Sequence, residues 1–137
     1  MTDAPAARTA TPPTPRQVAI AAAVDVASVL VFVVIGRKSH AEGGSVLTET
    51  AKVAAPFLIA LAAGWLAARV WKAPKAVANG VVVWLVTVAL GMVLRKVLFD
   101  GGTALPFIIV TSAFTLLLLV GWRMLAEWWA ERAATQD

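Results

Sequence analysis

The stretch VAIAAAVDVASVLVFVVI, residues 18–35, is apolar at every position except Asp25 and Ser28. Eighteen such residues in a helix approach the thickness of a bilayer core, about 30 Å at 1.5 Å per residue. The stretch is too long for the apolar part of a signal peptide, and it carries a carboxylate. No small-residue cleavage site follows it, only Gly36, Arg37 and Lys38, so it reads as a retained helix.

Three more runs of the same kind follow: Val53 to Val70, Val77 to Leu94, and Leu105 to Leu125. In lipid every backbone N–H and C=O must be satisfied internally, which leaves helices or closed barrels, and long unbroken runs are helices. The fold class expected is all-α, an integral membrane bundle of four transmembrane helices with short loops. The helices are expected at about 17–36, 53–71, 77–98 and 104–129, within one domain over 16–132. Residues 1–15, rich in Pro, Ala and Thr, read as a disordered tail, and 133–137 as a C-terminal tail. Pro56 falls in the first turn of a helix starting at Val53, where proline is tolerated. If that helix starts near Val46, Pro56 lies inside it.

Composition agrees. The chain of 137 residues is 60% hydrophobic and 15% charged, with a mean hydropathy of +0.80, against about a quarter charged for a soluble domain. No cysteine is present and His40 is the one histidine. Disulfides, thiolate sites and a histidine-rich metal site within one subunit are thereby excluded. The net charge of +4 comes from cations at the ends of apolar runs, not from a basic patch interleaved with aromatics, so no nucleic-acid partner is expected.

Four helices place both termini on one side. With that side cytoplasmic, it holds Arg8, Arg16, Arg69, Lys72, Lys75, Arg123 and Arg132, seven of the twelve cations. The six tryptophans fall toward the same side, where they suit the headgroup level. The expected location is a bacterial inner membrane, multi-pass, with both termini cytoplasmic.

Asp25 is the most informative residue, because an ionised carboxylate in a membrane helix is costly unless paired or hydrated. By residue count it lies near the membrane centre with Ser28, Thr87, Thr111 and Thr115, a cluster that reads either as a proton or small-solute site or as interhelical hydrogen bonding. Arg95 lies outward of it, within reach of Asp25 or of the surface. Arg37 and His40 form a basic group on the outer side. Ala60, Gly64 and Ala68 make a small-residue stripe, with Gly91 on the next helix, for close packing within the chain or along a dimer seam.

Asp25, the segment Gly36-Arg37-Lys38-Ser39-His40, Pro56-Phe57, Trp84 with Thr87-Val88, Leu94-Arg95 and Gly121-Trp122-Arg123 resemble a family of small prokaryotic, actinobacterial-type membrane proteins known as domain of unknown function 3054. The resemblance covers about residues 18–125 and implies a four-helix membrane fold, without an activity. The architecture is also similar to small multidrug-resistance transporters, which carry a lone carboxylate in the first helix. This chain departs from them in having no tyrosine.

The leading functional expectation is a proton- or cation-coupled transporter of an unidentified small solute. It would work as a homo-oligomer, a dimer for preference, in contact with the lipid bilayer and without cofactor, metal or enzymatic activity. The alternatives are a non-catalytic structural or accessory subunit of a membrane complex, and a membrane enzyme acting on lipid head groups.

Overall fold

The computed structural model describes residues 11–38 and 45–136. They form four α-helices, α1 Pro15–Lys38, α2 Val46–Ala68, α3 Val77–Val97 and α4 Leu105–Ala134. Each is long and apolar enough to cross a membrane. Among the described residues there is no strand. Large apolar side chains such as Leu66, Val93, Ile109 and Leu117 are exposed around the outside, which a soluble monomer would not sustain. The molecule is a multi-pass membrane protein whose outer surface meets lipid.

The helix ends follow from local chemistry. At the start of α1 the Thr14 hydroxyl accepts from the Gln17 N–H at 3.2 Å, and the Gln17 side chain accepts from the Thr14 N–H at 2.9 Å. This reciprocal box satisfies two donors that a helix start leaves orphaned. Pro15 supplies a first-turn residue with no N–H to satisfy.

Helix α2 begins at Val46, well before the expected Val53. Its first turns carry Thr48, Glu49, Thr50 and Lys52, which interrupt the apolar run. They are held by the acid Glu49 near the positive helix end, by a 3.2 Å ion pair from Lys52 to Glu49, and by a 2.6 Å bond from the Thr50 hydroxyl to Val46 O. Pro56 is therefore interior and buried.

Helix α2 ends where Arg69 takes a left-handed conformation, φ 50°. A 3₁₀ turn over Val70–Lys72 follows. Helix α3 closes when Gly101 N–H reaches back to Arg95 O at 2.8 Å, a bond that satisfies one of the carbonyls a helix end leaves free. Helix α4 runs on to Ala134, past the expected 129. At roughly 45 Å it is longer than a bilayer core needs.

The main contacts run α1 to α2, α2 to α3, α3 to α4, and α4 back to α1. The result is a square up-and-down bundle. Helices α2 and α3 pack closest, because Gly64 lets the backbones meet: a Cβ there would lie 3.1 Å from Val83 Cα and 3.2 Å from Val83 O. Ala60 on the same stripe is fully buried.

Two tiers fill the interior. Toward the end that carries the α1–α2 and α3–α4 connections, Phe32 stands edge-on to Phe57, with ring centroids 5.7 Å apart, and both approach Phe107. Gly91 of α3 forms the floor beneath Phe57. The other tier, at the end that carries the α2–α3 connection, is polar.

Candidate functional site

The polar tier is built around Asp25, which is fully buried. Arg123 of α4 meets it with a two-pronged pair, Nη1 donating to Oδ1 at 2.8 Å and Nη2 to Oδ2 at 2.7 Å. Two indole N–H groups complete the carboxylate: Trp65 of α2 donates to Oδ2 at 2.9 Å, and Trp122 of α4 to Oδ1 at 2.9 Å. Each oxygen thus accepts two hydrogen bonds, about the full capacity of a carboxylate.

Arg123 is equally committed. Its Nε donates to Pro74 O at 3.0 Å in the α2–α3 connection, and its Nη1 also donates to Leu119 O at 2.7 Å. Helix α3 contributes an absence. A Cβ on Gly80 would lie 2.7 Å from Arg123 Cδ, so the glycine makes room for the arginine. The tier therefore joins all four helices at one point.

Burying two charges costs several kcal/mol per ion unless geometry and extra hydrogen bonds offset it. Here the pairing is bidentate and the remaining lone pairs are occupied. Among the described residues it is the one buried ion pair.

Its depth differs from what residue counting along the first apolar run suggests. Gly80, beside Arg123, is seven residues from Thr87 at the middle of α3, roughly 10 Å along the axis. The pair therefore lies nearer the α2–α3 connection than the bundle centre. Asp25 is ten residues from the start of α1, whereas Gly80 is three from the start of α3, so counting along α1 alone places the pair too deep.

The other expected site residues do not join it. Arg95 does not pair with Asp25. It is at the opposite end of α3, where its Nε donates to Gly102 O at 2.9 Å and its guanidinium lies 4.7 Å from the Phe107 ring centre. Ser28 donates to Val24 O at 2.7 Å, and Thr115 to Thr111 O at 2.5 Å, both within their own helices. Gly64 and Gly91 face neighbouring helices of the same chain, α3 and α2 respectively, and Ala68 ends α2 partly buried. The Arg37 side chain and His40 lie outside the described residues. Among the described residues no group of three His, Cys, Asp or Glu side chains could hold a metal ion.

Thr87 and Thr111 differ from the rest. Both are fully buried and neither hydroxyl has a hydrogen-bond partner among the described residues. A helical threonine usually donates to the carbonyl four residues back. An unmet buried hydroxyl costs about 1–3 kcal/mol in proteins. Thr87→Val, which keeps the shape, should leave stability unchanged or raise it by about 1 kcal/mol, measured by denaturant unfolding in micelles. A loss of that size would mean the hydroxyl serves a guest.

Arg123, Trp65, Trp122 and Gly80 are the site residues that sequence reasoning did not select. Arg123 read as a cation of the membrane surface, and the tryptophans as headgroup anchors. A usable signal was present: in an apolar setting an indole N–H seeks an acceptor, and Asp25 is the one carboxylate within the apolar runs.

Residues 22–126 match a protein family described as "Protein of unknown function (DUF3054)". The chain belongs to this family. The matched span contains Asp25, Trp65, Gly80, Trp122 and Arg123 alike. No curated protein and no solved structure gives a significant match.

Proposed function

We propose that this member of the family is a non-catalytic membrane subunit that acts by packing against a partner, and that Asp25–Arg123 is the clasp of its bundle. One observation carries the reading: both Asp25 oxygens are filled by four N–H donors from the chain itself. A carboxylate so engaged has no free lone pair left for a cation. The partner surface is the last stretch of α4, beyond Arg123, where Trp128 and Trp129 are exposed and Arg132 stacks 3.9 Å from the Trp128 ring centre. Both termini lie on the cytoplasmic side of a bacterial inner membrane in this reading, with the cation-richer ends of the helices.

A second reading, coupled transport by a homo-oligomer, is favoured by the unpartnered hydroxyls of Thr87 and Thr111, which would suit a small polar solute passing through the interior. Proteoliposomes with an internal pH dye separate the two. The subunit reading expects no solute-driven proton movement from folded wild type across a panel of cations and small solutes. Proton movement that Asp25→Asn abolishes, with the fold retained, would establish transport instead.

A further inference from the structure

The α2–α3 connection reads Arg69-Val70-Trp71-Lys72-Ala73-Pro74-Lys75, and no acid occurs anywhere between Glu49 and Asp100. The left-handed conformation of Arg69 and the 3₁₀ turn bury Val70 while Arg69, Trp71 and Lys72 remain exposed. No hydrogen bond or ion pair within the described residues engages the Arg69 or Lys72 side chain. Trp71 belongs to an open groove of about 580 Å³, within the size range of small-molecule sites, about 300–1,000 Å³. Its walls are Ala22 and Val26 of α1 with Leu58, Ala62 and Trp65 of α2.

The groove walls are apolar apart from the indole N–H groups, and the Trp65 N–H is turned inward to Asp25. An occupant of this groove must therefore be a hydrocarbon along most of its length. At the Trp71 end the turn offers two uncompensated cations, Arg69 two residues before the tryptophan and Lys72 one after it. A hydrocarbon joined to an anion at the headgroup level is the chemistry of an anionic phospholipid. Basic residues at the membrane-surface ends of interhelical pockets suit such headgroups.

We propose that the α1–α2 groove and the Arg69–Lys72 turn form a site for one anionic phospholipid, its acyl chain along Ala62 and Trp65 and its phosphate between Arg69 and Lys72. Cations that serve only to orient the helices would attract anionic lipid diffusely. A built site holds one molecule and needs the groove as well as the charge.

The test is native mass spectrometry of the full chain in micelles, titrated with phosphatidylglycerol and with phosphatidylcholine of the same acyl chains. Wild type should retain one phosphatidylglycerol in preference to phosphatidylcholine, by roughly fivefold for each cation engaged. Arg69→Asn with Lys72→Gln should bring the two lipids to parity; asparagine tolerates the left-handed backbone at position 69. Ala62→Trp, which fills the groove, should reduce retention of both lipids with the charges intact. Equal retention of the two lipids by wild type overturns the proposal without recourse to any variant. So does a preference that survives loss of both cations. A dimer mass in wild type that Ala62→Trp removes would overturn it too, by giving the groove to a second copy of the chain.

Discussion

Asp25→Ala should lower the unfolding free energy of the bundle by about 3–5 kcal/mol. The loss does not measure the strength of one contact. Removing the carboxylate strands the Arg123 guanidinium, which is fully buried, with its charge uncompensated, and it orphans the indole N–H groups of Trp65 and Trp122. Asp25→Asn should fall between wild type and alanine, because the amide keeps acceptor capacity on one oxygen and loses the charge. The decisive variant is the double one. Asp25→Leu with Arg123→Met removes both charges at similar volume, and replacement of a buried pair by apolar residues is often neutral or stabilising. The double variant should therefore be far more stable than either single one, with a coupling of several kcal/mol in a double-mutant cycle read by denaturant unfolding in micelles. Additive losses would mean that the two side chains do not pair. The cycle also bears on function, since a clasp can be replaced by a good apolar fit and a proton carrier cannot.

Phe57→Ala should cost about 3 kcal/mol, the lower end of the range for a buried phenylalanine. Lipid tails are as apolar as the side chain, so no gain from leaving water is at stake. What is lost is packing against Phe32 and Phe107 and against Gly91. Gly91→Ala alone should also destabilise, since its Cβ would lie 2.5 Å from Phe57 Cδ1, and Phe57, fully buried, has nowhere to retreat. Overpacking of this kind costs about 1–3 kcal/mol, against a gain of about 1 kcal/mol for alanine over glycine in a helix. In the Phe57→Ala background the sign should reverse. The new methyl then enters vacant space, and only the helical gain remains. A sign change in the effect of Gly91→Ala between the two backgrounds, followed by the same unfolding measurement, is the expected signature of this contact.

The fold was legible in the sequence because the bilayer imposes so few choices. Runs of some twenty apolar residues in lipid must be helices, and short connections place successive helices side by side, so four runs imply the square bundle. Composition and the absence of cysteine likewise settled which chemistries the chain lacks the residues to perform. Helix ends were less legible where polarity masked them. The first turns of α2 are stabilised by a charge near the helix end, by Lys52 with Glu49 and by Thr50, none of which registers as hydropathy.

The sequence also showed that Asp25 needs company, since a carboxylate in an apolar run demands it. It did not show whose. Arg95 and Arg123 are both arginines near the end of an apolar run, and a one-dimensional string holds no register between α1 and its neighbours. Only the tertiary structure decided between them. It slides α1 so that Asp25 comes level with Gly80 and the α2–α3 connection, which puts Arg123 at 2.7 Å and turns Arg95 to Gly102 O at the far end. The physical reason is that hydrophobicity sets how deep a helix sits to within a turn or two, whereas the partner of a buried charge is set by side-chain fit: a glycine that makes room for one arginine, and two indoles positioned to share its carboxylate.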